Sequence, residues 1–205
     1  FKLISVGNDF DLLYFSYKRY IAELLSSGVI PFWSPAEGTG LSLIFNPFAQ
    51  FFYIPGWVNY IIYFIKNNLT LYDYVIYTIS AFSIYSLGIF FWLRSLKIDF
   101  WIAFTVSTVT ICSLKITETL RFPNAAHSAA WMPWILYGIN LIDKNFTLKN
   151  FFLIFISNFF LITAGYPYFI VYSLFLFIPY IIIFVPLISE KNSFLKYNLL
   201  RYTKI

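Results

Sequence analysis

Asp9 and Asp11 bracket Phe10 in a D-x-D pattern near the start of the chain. Two carboxylates at that spacing can hold a divalent cation, or one can accept a proton while the other tunes it. A bare D-x-D also occurs as solvated loop acids. What raises this one is its place, ahead of an amphipathic helix and of a long apolar remainder. Asn8 to Gly40 holds Asp9, Asp11, Glu23 and Glu37, four of the nine acidic residues. A second group is Lys115, Glu118 and Arg121, spaced by three. At membrane depth ionisable groups cost about 2.5–3.5 kcal/mol each and tend to mark a pathway or a site. The plain alternative has Lys115 and Arg121 snorkelling to the interface with Glu118 paired to one of them. Tyr17-Lys18-Arg19-Tyr20 reads first as a helix face on anionic head groups, and second as contacts to a phosphate. His127 reads as a hydrogen-bonded packing residue. Trp131, Trp134 and Tyr137, at helical spacing, read as packing and interface anchors. One Cys and one His exclude an internal disulfide, a Cys-based metal site and a His cluster.

Composition names the surroundings of these groups. The 205 residues are 60% hydrophobic, 24% aromatic and 11% charged, and mean hydropathy is +0.74. Soluble domains carry about 25% charged residues, so this chain cannot cover a water-facing surface and reads as an all-α integral membrane protein. The net charge of +5 fits basic cytoplasmic connectors rather than nucleic-acid binding. The first residue is Phe1 and the last stretch is polar. The chain therefore reads as a fragment, with a spanning helix expected before Phe1 and more chain after Ile205.

Gaps between charges locate the elements. Residues 1–46 read as an extracytoplasmic loop carrying an amphipathic helix over 12–26, followed by the Pro- and Gly-rich 30–40. Residues 47–66 read as a juxtamembrane or re-entrant helix, because Pro55-Gly56 breaks the uncharged run 38–65. Residues 72–188 read as a five-span bundle: 74–93, 100 toward 120, 122–142, 151–164 and 168–188, with Gly165-Tyr166-Pro167 as a hairpin turn. Residues 189–205 read as a cytoplasmic tail. Arg94 and Lys97, Lys144 and Lys149, and Lys191, Lys196, Arg201 and Lys204 then share one side, which the positive-inside rule makes cytoplasmic. The acidic loop falls on the other side.

Several stretches carry a resemblance. Asn8-Asp9, an aromatic-rich helix, Gly28-Val29-Ile30-Pro31-Phe32-Trp33-Ser34-Pro35 and Gly38-Thr39-Gly40 are similar to a segment of the YfhO-type membrane proteins. There an acidic residue precedes a "G-x-x-P-x-W-N-P…G" stretch and an "NP…FYP" run. The latter is matched here by Asn46-Pro47-Phe48 and Phe52-Tyr53-Ile54-Pro55. His127-Ser128-Ala129-Ala130-Trp131-Met132-Pro133-Trp134 resembles the family's "A-W-x-P" helix, and Ala164-Gly165-Tyr166-Pro167-Tyr168 its "A-G-H-P-Q" turn. Ser34 stands for Asn, Tyr166 for His and Tyr168 for Gln, which puts the role of that turn in question.

The resemblance implies the C-type glycosyltransferase superfamily. These are multi-span enzymes that take a sugar from a polyprenyl-phosphate carrier and hold an essential acid in the first extracytoplasmic loop. By that carry-over Asp9 is the catalytic candidate, with Asp11 second; Asp9 would deprotonate the acceptor hydroxyl or orient it. The donor phosphate would be held by Arg121 with Lys115, and the substrate contacted by Trp33, Tyr53, Glu118 and His127. No cofactor is expected, a divalent cation at Asp9 and Asp11 being the disfavoured option. The partners expected are the lipid-linked donor, membrane lipids and a glycan or glycolipid acceptor in a bacterial plasma membrane, with no nucleic acid. A flippase for lipid-linked sugars and a non-catalytic assembly subunit are the rival classes.

Overall fold

The computed structural model describes residues 9–35, 40–113 and 119–185. Among these residues every regular element is a helix. The single β-type contact is an isolated bridge, in which Ser34 and Leu41 exchange backbone N–H···O bonds of 2.7 and 2.8 Å.

A π-helical turn, Phe10–Phe15, runs into α1, Ser16–Ser26. The buried face of this segment comprises Tyr14, Tyr17, Lys18, Ile21 and Ala22, the i, i+3, i+4, i+7 stripe of an amphipathic helix. Arg19 points the other way and pairs with Glu23 at 3.0 Å. The helix ends at Gly28, whose φ of +76° is the left-handed conformation that glycine adopts freely. Two 3-10 turns follow, Pro47–Ala49 and Ile54–Trp57, each with a proline where no N–H partner is needed. Pro55-Gly56 lies inside the second turn. From Gly40 onward the uncharged run is thus a shaped loop until α2, Val58–Lys66, begins.

Thr70 and Asp73 form a reciprocal capping box that starts α3, Leu71–Ser95. Lys66 Nζ meets Asp73 Oδ1 at 2.7 Å, which ties the end of α2 to that start. Asp99 caps α4, Phe100–Ile111. After a 3-10 turn, Thr119–Arg121, come α5, Pro123–Ala130, and α6, Met132–Lys144. The expected single helix over 122–142 is therefore two. Pro133 has no N–H for the carbonyl four residues back, and the break falls at Trp131. Thr147 caps α7, Leu148–Thr163. The Ala164-Gly165 turn leads to α8, Pro167–Pro179, which continues past its terminal proline as a π segment, Tyr180–Phe184.

Helix α3 lies along α4 and α6, α6 along α7, and α5 between α3 and α7, while α1 packs on α2. Small residues permit these approaches. A Cβ on Gly88 would stand 2.8 Å from the Trp134 ring, and one on Gly138 would collide with Ile154. Two helical stretches, Leu71–Ser95 and Pro167–Phe184, are long and apolar enough to cross a membrane. Helices α4 and α7 are apolar but shorter.

Candidate functional site

The residues picked from the sequence divide into two places. At one end of the helices, Asp9 is exposed at the start of the π turn and its side chain makes no capping bond. Asp11 is half-buried, and its Oδ1 is shielded from solvent without a hydrogen-bond partner. Residues i and i+2 on a helical turn do not face each other. The pair therefore presents two separately placed carboxylates rather than a clamp.

Tyr14 lies beneath them, its ring centroid 5.9 Å from that of Phe48. Burial, then the charges of Tyr166 and Asp9, push its phenol up to about 12. Asp9 and Tyr166 are therefore both within electrostatic reach of Tyr14. Phe122 is 6.4 Å from Tyr166 between ring centroids, and the Arg121 guanidinium is 6.0 Å from the Phe122 ring. Ring contacts thus link Tyr166 through Phe122 to Arg121, which is exposed, while Asp9 and Tyr166 both act on Tyr14 through their electrostatics. Trp33 is also exposed, at 58%; its ring occupies the space that a Cβ on Gly40 would need. Lys115 and Glu118 lie outside the described residues.

The hairpin turn is locked into this end of the molecule. Asn124 Nδ2 donates to the carbonyls of Pro47, Phe48 and Gly165 at 3.2–3.3 Å. Gly165 has φ +80°, and a Cβ there would collide with the Pro47 carbonyl. The loop 46–57, α5 and the α7–α8 turn are therefore held as one unit around Asn124.

Tyr53 and His127 belong to the second place. Both were expected to touch substrate, and both are 0% exposed. Trp131 Nε1 donates to Tyr53 Oη at 3.0 Å, and Tyr53 Oη lies 3.1 Å from His127 Nδ1. With its oxygen accepting from Trp131, the Tyr53 hydroxyl is free to donate to Nδ1. The His127 ring stacks on Tyr77, with centroids 4.2 Å apart. These are core residues, and a substrate reaches neither unless the core opens. Every residue of α5 is buried, His127 among them.

The same core holds a cation that the sequence reading placed on the surface. Lys18 is 0% exposed. Its Nζ donates to the Gln50 carbonyl at 3.4 Å, lies 3.5 Å from Tyr60 Oη and sits 5.3 Å from the centre of the Tyr60 ring. Among the described residues no carboxylate is within ion-pair distance of it. Burial pushes the Lys18 ammonium down to about 7.

Gln50 organises the surroundings of Lys18. It holds φ +52°, uncommon for a side chain of this kind. Three bonds hold it there. Its carbonyl accepts from Lys18, its Oε1 accepts from Tyr77 Oη at 3.2 Å, and its Nε2 donates to the Ala164 carbonyl at 2.6 Å. A non-glycine residue kept in this region by its surroundings is a hallmark of functional segments. Nothing in the one-dimensional pattern announces it. Lys18 did carry a signal, since it falls on the apolar stripe of α1. Comparison with family models, with characterised proteins and with solved structures finds no match for this chain.

Proposed function

We propose that this chain is part of a polytopic membrane glycosyltransferase that moves a sugar from a polyprenyl-phosphate carrier to an extracytoplasmic acceptor. The observation that carries the reading is the grouping of exposed charge around aromatics at the Asp9 end. The exposed carboxylate of Asp9 and the Tyr166 phenol both act electrostatically on Tyr14, and the Phe122 ring stands between Tyr166 and the exposed guanidinium of Arg121. Large apolar side chains exposed on α4, on α8 and on its π extension, such as Trp101, Phe104, Phe175 and Ile182, suit a lipid surrounding. The likeness to YfhO-type proteins adds the substrate class.

In this reading an acceptor hydroxyl attacks the anomeric carbon as the bond from that carbon to the phosphate oxygen breaks. Asp9 takes the hydroxyl proton. The electron pair leaves on the polyprenyl phosphate, where Arg121 stabilises the growing charge. Asp11, turned from Asp9, sets the local field rather than sharing a cation. Trp33 is the exposed aromatic available for stacking on a sugar.

The test is turnover of a polyprenyl-phosphate-linked radiolabelled sugar by the protein reconstituted in liposomes. Arg121→Gln is expected to raise the donor KM by about tenfold or more, the loss of a charge-assisted bond. Arg121→Lys should fall between, since it keeps the charge but not the fork. Unchanged kinetics in the Gln variant would reduce Arg121 to an interfacial anchor.

The rival, a flippase for lipid-linked sugars, is favoured by one observation. Lys18 and His127 are ionisable groups within a buried network, the kind of arrangement used for proton coupling in transporters. Proton-gradient-dependent movement of the labelled lipid across the liposome bilayer, with no sugar released from its carrier, would select it.

A further inference from the structure

We propose that the end of the bundle away from Asp9 binds an anionic phospholipid, its phosphate on the cations of two neighbouring connectors and its acyl chains on the apolar side chains beside them. The inference rests on the membrane surrounding in the reading above and not on transferase chemistry. Helix α3 starts at the Asp9 end, where Tyr74 meets Phe10 at 5.1 Å between ring centroids, and finishes at Ser95. At 1.5 Å per residue it is about 36 Å long, enough to cross a hydrocarbon core of about 30 Å. The two connectors meet at Ser95. Its hydroxyl accepts from Asn140 Nδ2 at 3.0 Å and its carbonyl from Lys144 Nζ, both on α6. Asn150 Nδ2 donates to the Asn145 carbonyl at 2.9 Å and ties the start of α7 to the end of α6.

Residues 94–101 and 143–151 thus share one end of the molecule. They carry Arg94, Lys97, Lys144 and Lys149, all exposed, against two acids, Asp99 and Asp143. Asp99 is engaged, its Oδ1 accepting from the Trp101 N–H at 2.8 Å. Phe100, Trp101, Phe146, Leu148 and Phe151 are exposed in the same two stretches. A phosphate diester answers the cations and an acyl chain answers the apolar side chains. A nucleic acid or an acidic peptide answers only the first.

Lys97 carries a second signal. Helix α3 closes as a Schellman turn, in which the Ile98 N–H donates to the Leu93 carbonyl at 3.2 Å and the Lys97 N–H to the Arg94 carbonyl at 3.1 Å. The position of Lys97 in that turn takes the left-handed conformation, here φ +63°, which glycine adopts without strain. A lysine there costs stability and sets a cation at the surface, and strain of this sort points to function. Arg94 Nη1 closes the same turn by donating to the Ile98 carbonyl at 2.7 Å.

The experiment titrates the purified chain in dodecyl maltoside with dioleoyl phosphatidylglycerol and, for comparison, dioleoyl phosphatidylcholine, reading bound lipid by native mass spectrometry. Phosphatidylglycerol is expected to bind at least tenfold more tightly. Its acyl-brominated form should quench tryptophan fluorescence more than brominated phosphatidylcholine does. That excess should be lost in Trp101→Phe, which places the lipid at this end. Lys97→Gly should raise the thermal midpoint yet weaken phosphatidylglycerol about fivefold, the effect of one basic residue near an anionic surface. Lys149→Gln should weaken it similarly with the midpoint unchanged, and Lys149→Arg should match the parent. Equal binding of the two lipids, a preference untouched by both lysine substitutions, or an excess that survives in Trp101→Phe would each overturn the proposal. Displacement of the lipid by inorganic phosphate or polyglutamate at matched ionic strength would do the same. None of these readouts uses sugar transfer, so this site and the transferase reading fail separately.

Discussion

The Asp9 end and the Lys18 core use polar side chains in opposite ways. Asp9, Arg121 and Trp33 are exposed and make few bonds within the chain. Gln50, Tyr53, Asn124 and His127 are buried, and most of their polar atoms are bonded across distant segments. A side chain whose bonds are all internal holds structure. One that water solvates can exchange that water for a ligand. The comparison therefore makes the Asp9 end the better place for the chemistry proposed above and gives the core a structural part, even though the sequence offered residues from both as site candidates. Lys18 crosses the division, being buried like the core yet, among the described residues, without an ion-pair partner.

The division is tested most sharply by Asp9→Asn. An exposed acid with no internal bond should leave the thermal midpoint unchanged. As the proton acceptor it should cost about 10²–10⁴-fold in turnover. Asp11→Asn should cost less, and a chelator should change neither. Full activity in both variants would remove chemistry from this end and advance the flippase reading.

Gly165→Ala tests the core side. The substitution places a side chain at φ +80° and against the Pro47 carbonyl. The conformational penalty is roughly 1–2 kcal/mol and the overpacking adds about 1–3 kcal/mol. A loss of about 3 kcal/mol in chemical unfolding is expected, together with loosening of the loop 46–57 in hydrogen exchange. A variant as stable as the parent would show that the turn can move and that the unit around Asn124 is not rigid.

How much of this could be read in advance depends on the kind of signal. Helical segments of α3, α7 and α8 fall within the uncharged runs, because charges and turn residues punctuate an apolar chain. The break at Trp131 was signalled by Pro133 but was outweighed by the continuity of the run. Lys18 was misplaced because Tyr17-Lys18-Arg19-Tyr20 was read as a block. A helix turns 100° per residue, so Lys18 shares a face with Tyr14 and Ile21 while Arg19 faces Glu23. Tyr166 departs from the motif, yet its ring stands 6.4 Å from that of Phe122 at the Asp9 end. Gln50 offered no signal, since its three bonds reach residues 32, 27 and 114 positions away in the chain. Long-range closure of that kind is absent from any local pattern.

Lys18 also makes the core sensitive to pH, in a definite direction. Its folded-state value of about 7 lies below the usual 10.5. Above pH 10.5 both states are neutral at this site. Between 7 and 10.5 the unfolded chain holds a proton that the folded chain lacks, so stability rises with pH. The limiting slope is about 1.4 kcal/mol per pH unit for one proton. Below 7 both states are protonated and the slope vanishes. The stability difference between Lys18→Met and the parent, followed from pH 6 to 9.5, should be largest at the acid end and shrink from about pH 7 upward. A difference independent of pH would mean that Lys18 reaches water.

The mildest effect is expected at Tyr53, where the two regions are most easily confused. Tyr53 was expected to contact substrate, yet its hydroxyl is engaged by Trp131 and His127 and its ring is 0% exposed. Tyr53→Phe keeps the ring and removes only the oxygen. Trp131 Nε1 and His127 Nδ1 then lose their shared partner, at a cost of about 1–3 kcal/mol for an unsatisfied buried group. Unfolding in urea should show that loss, while the donor KM stays within about twofold of the parent, since the hydroxyl never meets the substrate. Tyr53→Ala would cost more, because the ring also packs edge-on against Phe160 at 5.9 Å between centroids. The informative result is the reverse pattern in the Phe variant. A large rise in KM with unchanged stability would mean that the core opens during turnover and that Tyr53 meets the substrate there. The separation of an exposed chemical end from a closed structural core would then describe only the resting state.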